Sequence, residues 1–325
     1  MSRPKVQVTR EVFDEVLDYL GQHFEVTANQ DDRPFTPEEL AQALTDKHGA
    51  LTVLTDRIDA ALLSHCPQLK AVCNIAVGYN NFDLKAMSAR AVLGTNTPGV
   101  LDAATADFTW ALILATARRL TEAEAWLRAG EWQGWKLKQF LGMDVQGATL
   151  GIIGMGRIGQ AVAKRARGFD MPVLYYNRTR LAPALERECN ARHASLDELL
   201  AQSDIVTLHT PYSADSHHLL GAAQLAKMKP SAILIHAARG GVVDDAALIA
   251  ALQNGTIAAA GLDVFESEPK FNPEFLKLRN VVLAPHIASA TTNTRRNMAM
   301  LAAKNLVAAL TGERPPNLLN PDALK

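Results

Sequence analysis

Cysteine is scarce in this chain. Cys66, Cys73 and Cys189 are the only three in 325 residues; they form no C-x-x-C pair, and their odd number argues against a disulfide framework. Net charge is scarce too. Lys and Arg number 33 against 34 Asp and Glu, leaving −1, so no bulk basic field exists to hold nucleic acid or an anionic membrane. Long apolar runs are absent: the longest strongly apolar stretch, Trp110–Ala117, is far too short to span a bilayer. The stretch MSRPKVQVTREVFDEVLDYL alternates charged with apolar residues and has no h-region, which excludes a signal peptide. No internal repeat or low-complexity tract occurs. Together these absences predict a soluble, cytoplasmic protein with no metal, no nucleic acid and no membrane as partner.

The composition that remains, 48% hydrophobic and 21% charged, suits a globular protein with a sizeable core, and the length suffices for two domains. Lys5–Thr9, Ala50–Leu54, Ala71–Ala76 and Ala91–Thr95 read as strands, and Val12–Leu20 as a helix with Val16, Leu17 and Leu20 on one face. Strands separated by helical patterns imply a parallel sheet covered on both faces. Thr97-Pro98-Gly99 breaks the pattern as a turn or a crossing between domains. Ala104–Leu120 then reads as a helix apolar nearly all round, which needs cover on every side, from one large domain or from another subunit. Gly130–Gln146, carrying Trp132 and Trp135, is a long connection. Strands resume at Pro172–Tyr176, Ile205–His209, Ile233–His236, Ala258–Leu262 and Val281–Ala284. A final helix, Thr294–Leu310, is expected to return to the first domain, leaving Gly312–Lys325 as a polar tail.

At the middle of the chain, Leu150–Gly159 reads LGIIGMGRIG. A buried strand runs into Gly154-x-Gly156-x-x-Gly159 and then into a helical pattern carried by Ile158, Val162, Ala166 and Phe169. In a dinucleotide site Gly154 makes the tight turn, Gly156 lets backbone approach the pyrophosphate, and Gly159 lets the helix pack closely on the strand. An NAD site places an acid about twenty residues on, at the adenosine ribose. Here the strand ends in Asn177-Arg178-Thr179-Arg180. Two arginines and no carboxylate favour NADPH over NADH, because Arg binds a ribose phosphate that an acid would repel; the alternative is a pair of solvated loop arginines.

Three ionisable residues stand at downstream strand edges, where open α/β sheets place their ligands. These are Arg239 in HAARGG, Glu268 in LDVFESEP and His286 in LAPHIASAT. As a set they suit hydride transfer to a 2-oxo acid: Arg forks the carboxylate, His donates a proton, and Glu keeps the imidazole charged and oriented. Singly, each is equally a helix cap, a loop acid or a structural histidine.

Over nearly its full length the chain resembles the D-isomer-specific 2-hydroxyacid dehydrogenase family. The matching segments are VGYNNFD (Val77–Asp83), LGIIGMGRIG, KPSAILIHAARGGVVDDAALIAAL (Lys229–Leu252), AGLDVFESEP (Ala260–Pro269) and PHIASAT (Pro285–Thr291). Within the family it is most similar to glyoxylate/hydroxypyruvate reductases, which include the 2-ketogluconate reductases. The resemblance implies that Arg239 binds substrate, that His286 is the acid/base paired with Glu268 rather than Glu266, and that backbone at Val77 and Gly78 holds the substrate carboxylate. It places Arg157, Ile158, Thr210, Pro211, Ala237, Asp263 and Thr105 with the glycines and Asn177–Arg180 at the cofactor. It also implies a homodimer, in which Trp135 reaches the partner's active site; core packing of both tryptophans is the alternative. His236 stands where the family usually has Asn, Ala288 where Gly is common, and Asn80 where Asp is common.

The expected fold is α/β with two domains: a doubly wound Rossmann-type cofactor domain, residues 101–288, inserted into a flavodoxin-like substrate domain, residues 1–100 and 289–325. The expected activity is NADPH-dependent reduction of glyoxylate, hydroxypyruvate or 2-ketogluconate to the D-2-hydroxy acid. The alternatives are 3-phosphoglycerate or D-lactate dehydrogenase activity, which the missing ribose acid and the lack of a regulatory domain fit less well, and a non-catalytic dinucleotide-sensing corepressor-like module.

Overall fold

In the computed structural model, which describes residues 3–324, the alternating pattern resolves into two parallel sheets. Met1, Ser2 and Lys325, which belong to the expected first-domain segments, lie outside the described residues. Residues through Leu101 together with those from Ala290 onward form one compact unit, and Asp102–Ser289 form the other.

The first unit holds β1 (Lys5–Val8), β2 (Glu25–Ala28), β3 (Gly49–Thr52), β4 (Ala71–Asn74) and β5 (Leu93–Thr95). Their order, β2-β1-β3-β4-β5, is flavodoxin-like. Val6, Val8, Leu51 and Cys73 project from one face onto the Thr292–Thr311 helix, which contributes Ala299, Ala302, Ala303 and Leu306. Ala50 and Val72 project from the other face, onto Leu44, Leu63 and Met87.

The second unit holds β6 (Leu150–Ile153), β7 (Val173–Tyr176), β8 (Ala191–His193), β9 (Ile205–Leu208), β10 (Ile233–His236), β11 (Ala259–Leu262) and β12 (Val281–Leu283). The order β12-β11-β10-β9-β6-β7-β8 is doubly wound and reverses between β6 and β9, the switch point at which such sheets bind ligands. Leu150 and Ile152 face one layer and Ile153 the other, as a strand covered on both sides requires. The Asp102–Ala117 helix covers the first of these faces. Its Trp110 donates Nε1–H to the Val162 carbonyl at 3.1 Å and stacks on Phe169 at 4.7 Å between centroids. The unit's own packing thus buries most of this apolar helix and leaves Leu114 37% exposed.

Three expectations are corrected. The apolar helix ends at Ala117, and a separate, more polar one, Leu120–Arg128, begins after Arg119 at φ 52°; no Gly or Pro marks the break. Two strands went unread, β2 and β8. Both are sheet edges of partly exposed, polar-interleaved residues, without the apolar run that a central strand shows. The segment from Gly312 is not a loose polar tail. Asn320 Oδ1 accepts the Gly94 N–H at 2.8 Å, and its Nδ2 donates to the Val92 carbonyl at 2.9 Å. Leu319 N–H donates to the Gly94 carbonyl at 2.8 Å, so this segment covers the free edge of β5.

The three cysteines are free and buried. Among the described residues no helix is long and apolar enough to cross a membrane.

Candidate active site

The turn after β6 carries the glycine fingerprint. Gly154 adopts φ +97°, and a Cβ there would lie 2.7 Å from the His209 carbonyl carbon and the Thr210 nitrogen, so only glycine fits. A Cβ on Gly159 would lie 2.4 Å from the Gly154 carbonyl oxygen; its absence sets how closely helix packs on strand. Gly156 differs. Nothing lies within 4 Å of where its Cβ would be, and its φ of −78° is open to any residue. The protein's own packing does not require glycine there, whereas a ligand seated over the turn would. Gly156 also caps the Arg157–Ala166 helix without a side-chain hydrogen bond, leaving first-turn N–H groups and the positive dipole end for an anion. Arg157 is exposed at the first helical position and Ile158 half-buried. These features fit a dinucleotide pyrophosphate.

At the end of β7, Asn177 Oδ1 accepts the Met155 N–H at 2.7 Å and pins the strand to the glycine turn. Thr179 is exposed. The two arginines differ. Arg178 pairs with Asp215 at 2.9 Å, both side chains more than three-quarters exposed, a pairing of little net energy that a phosphate can displace. Arg180 is committed: Nε and Nη2 grip the two oxygens of Glu186 at 2.8 Å each, and the Tyr175 hydroxyl donates to the same carboxylate at 2.6 Å. Arg180 first, then Tyr175, holds the Glu186 carboxyl down at about 2. Thr210 Oγ1 donates to the Ile153 carbonyl at 3.3 Å, and the Pro211 carbonyl accepts Ser216 Oγ at 2.8 Å. Ala237 is buried at the end of β10. Thr105 is 4% exposed on the Asp102–Ala117 helix, which leaves it little surface for a ligand.

The loops after β10, β11 and β12 carry Arg239, Glu268 and His286. Glu268 Oε2 meets His286 Nδ1 at 2.7 Å, while its Oε1 accepts the Phe265 N–H at 2.8 Å. Burial alone would raise the Glu268 carboxyl, but the bond and charge of His286, with the Phe265 N–H and the Arg239 charge, bring it below its ordinary value. Glu268 is therefore ionised. It engages Nδ1 and leaves Nε2 of His286 as the nitrogen that can deliver a proton. Glu266 is occupied elsewhere, against His218 Nε2.

His286 holds a left-handed φ of 55°, a strain kept only where surroundings enforce it. They do. Its N–H donates to the Asp263 carbonyl at 2.9 Å, and the Asp263 carboxylate accepts the Ile287 and Ala288 N–H groups at 2.7 and 2.9 Å. Asp263 thus holds the His286 loop and is itself fully buried, which leaves it no surface for a cofactor. Arg239 donates Nη1 to the Ala238 carbonyl at 2.7 Å, and its Nε is buried without a partner. Burial works against its charge while Glu268 supports it.

Two buried histidines adjoin this cluster. His236 is 1% exposed with neither ring nitrogen hydrogen-bonded, and His209 bonds only Thr207 Oγ1, at 3.1 Å. Burial pushes them down from 6.5 to about 4 and about 3. Both are neutral in the fold but protonate in the unfolded chain below about 6.5. Their contribution is therefore complete above that pH and is lost as pH falls from 6.5 toward 4, on the order of 3 kcal/mol each by pH 4. We expect His236→Asn to flatten the decline in stability across this window, measured by urea unfolding at pH 4.5 to 7.5; an unchanged slope would refute the assignment.

Val77 and Gly78 lie in the first unit, in the half-buried loop after β4. Their carbonyls accept Asn96 Nδ2 at 2.8 Å and Asn74 Nδ2 at 2.9 Å. Neither asparagine was singled out from sequence, where an amide closing the buried strand AVCN was the only visible signal. Trp132 and Trp135 are 58% and 78% exposed, so neither packs in the chain's own core.

The family model described as "D-isomer specific 2-hydroxyacid dehydrogenase, NAD binding domain" matches residues 110–288. The glyoxylate reductase of Thermococcus gammatolerans is 49% identical, over 99% of this chain and 98% of its own. That of Aeropyrum pernix is 47% identical, over 100% and 98%. The crystal structure of an NADPH-dependent glyoxylate/hydroxypyruvate reductase from Sinorhizobium meliloti, in complex with NADP and malonate, superposes with a TM-score of 0.87 at 33% identity, covering 99% of this chain and 98% of that one. The chain belongs to the D-isomer specific 2-hydroxyacid dehydrogenase family and is an NAD(P)-dependent oxidoreductase acting on 2-hydroxy and 2-oxo acids.

Proposed function

We propose that this enzyme reduces glyoxylate, hydroxypyruvate or a related 2-oxo acid such as 2-ketogluconate to the D-2-hydroxy acid with NADPH. The observation that carries the reading is the Glu268–His286 pair at 2.7 Å at the carboxyl edge of a sheet whose first turn is shaped for pyrophosphate. Bound nicotinamide supplies the hydride. Arg239 binds the substrate and polarises its carbonyl oxygen, and backbone N–H groups at Val77 and Gly78 hold its carboxylate. His286 Nε2 donates a proton to that oxygen, while Glu268 orients the ring and offsets its charge. NADPH is favoured by the absence of an acid at the end of β7 and by Arg178, whose surface partner is displaceable; a related structure bears NADP.

The test follows NADPH and NADH oxidation against glyoxylate, hydroxypyruvate, 2-ketogluconate, pyruvate and phosphohydroxypyruvate. Turnover of none of these overturns the reading. Arg178→Ala is expected to cut the preference for NADPH over NADH by roughly 10- to 100-fold, the worth of a charge-assisted hydrogen bond, and Arg180→Ala by less. An undiminished preference in Arg178→Ala refutes the phosphate role.

The homodimer belongs to the same proposal. Leu120, Leu127, Trp132, Trp135 and Leu137 are each more than half exposed within one stretch, and soluble monomers rarely leave so much apolar surface open. A second copy covers it, which places Trp135 to reach the partner's active site. Sedimentation equilibrium is expected to give twice 35.2 kDa; a 35.2 kDa species at micromolar concentration overturns the dimer.

A further inference from the structure

The loop after β4 shows an unusual hydrogen-bond ledger. Its carbonyls are taken in sequence: Ala76 by the Thr97 N–H at 2.9 Å, Val77 by Asn96 Nδ2 at 2.8 Å, and Gly78 by Asn74 Nδ2 at 2.9 Å. Among the described residues, the N–H groups of Val77, Gly78 and Tyr79 donate to no protein acceptor. The two facts are one. A trans peptide is planar, with its carbonyl and N–H pointing in opposite directions. The carbonyl of Ala76 shares a plane with the Val77 N–H, that of Val77 with the Gly78 N–H, and that of Gly78 with the Tyr79 N–H. Tying three successive carbonyls inward therefore turns three successive N–H groups outward, and such a row of donors binds an anion.

The tethers are themselves held. Asn74 is fully buried and Asn96 8% exposed. The second Nδ2 proton of Asn74 goes to Asn81 Oδ1 at 3.1 Å, and Asn81 Nδ2 donates to the Val53 and Asp56 carbonyls at 3.2 and 2.8 Å. Asp56, buried in its turn, accepts the Val53 N–H at 2.9 Å and Thr9 Oγ1 at 2.5 Å. A buried polar chain thus runs from Thr9 to the Gly78 carbonyl. Burying four polar side chains, with Asn81 half-buried between them, is costly unless their bonds are specific, and what this chain specifies is the orientation of those peptide planes.

We propose that Asn74 and Asn96 are positioning residues for the substrate carboxylate, aiming the N–H groups of Val77, Gly78 and Tyr79 without touching substrate themselves. The proposal rests on the reading above that this loop holds the carboxylate, and it extends that role to Tyr79. Truncating either asparagine frees one carbonyl and lets its peptide plane rotate. Substrate affinity falls, while the hydride and proton donors, held by other elements, are unaffected.

Asn74→Ala and Asn96→Ala are compared with the wild-type enzyme for glyoxylate kinetics, NADPH binding and oxalate binding. In each we expect KM for glyoxylate and the oxalate dissociation constant to rise together by roughly ten-fold or more, with kcat within about three-fold and NADPH affinity unchanged. A merely structural lesion would not divide the parameters in this way. Asn96 lies nearer the surface, so its variant decides the matter if Asn74→Ala does not fold. Oxalate titrated into the 15N-labelled wild-type enzyme separates the two claims. If the Val77, Gly78 and Tyr79 amide resonances stay put, the loop is not the carboxylate site. If they shift while the folded variants keep wild-type KM and oxalate affinity, the asparagines do not position it.

Discussion

His286→Ala is expected to lower turnover of glyoxylate by roughly 10²- to 10⁴-fold, the contribution of a positioned general acid, while NADPH binding stays at the wild-type level. The expectation follows from the division of labour in the structure. Glu268 takes Nδ1 at 2.7 Å, so the ring has one nitrogen left for the substrate oxygen, and alanine leaves that oxygen without its proton donor. The proposed pyrophosphate cradle lies on other residues, at Gly154–Gly159, and does not depend on the imidazole. Glu268→Gln preserves a hydrogen-bond partner but removes the countercharge, so its loss should be smaller than that of His286→Ala. Stopped-flow NADPH oxidation and fluorescence titration of NADPH give the two readouts. Wild-type turnover in His286→Ala would remove it from the mechanism.

Two glycines of one motif, Gly154 and Gly156, should respond to alanine in opposite ways. In Gly154→Ala the new methyl meets backbone of His209 and Thr210 at 2.7 Å with φ at +97°, and neither neighbour is a flexible side-chain end. Overpacking and the left-handed backbone together should cost about 2–5 kcal/mol, a fall in Tm on the order of 5–15 °C, with NADPH binding lost alongside. Gly156→Ala meets nothing within 4 Å in a conformation alanine adopts freely. Its stability should stay level or rise by up to about 1 kcal/mol, through reduced freedom of the unfolded chain. Its affinity for NADPH should nonetheless fall by about ten-fold or more, because the methyl occupies the pyrophosphate's approach to the helix end. Calorimetry with and without NADPH separates the two effects. If Gly156→Ala binds NADPH normally, the pyrophosphate does not lie where the fingerprint implies.

Much of this enzyme is legible in local sequence because local forces set it. The central strands are short runs of Val, Ile and Leu bounded by turns, and β10 spans Ile233–His236 as its pattern predicts. The glycine spacing follows from the backbone demands of one turn and one helix start. Edges were harder. Glu25–Ala28 alternates exposed with half-buried residues and becomes a strand by pairing with β1, not through any apolar run of its own. The break at Arg119 is likewise unmarked, because no Gly or Pro stands between the two helices and Arg119 itself takes the left-handed conformation.

Residue types and the order of motifs along the chain determined the α/β class, the dinucleotide turn and the identity of the residues able to move a proton or grip a carboxylate. Only the tertiary structure decided which of them meet. It brought Glu268, the acid that the family resemblance had favoured over Glu266, against His286, 18 positions away. It committed Arg180 to Glu186 and left Arg178 displaceable, and it carried Asn96 across 19 residues to the Val77 carbonyl and Asn320 across 226 to Gly94. The physical reason is the same in each case. Backbone propensity and hydrophobic period act over a few residues, whereas a hydrogen bond between distant side chains exists only once strand order and register have placed both ends within about 3 Å.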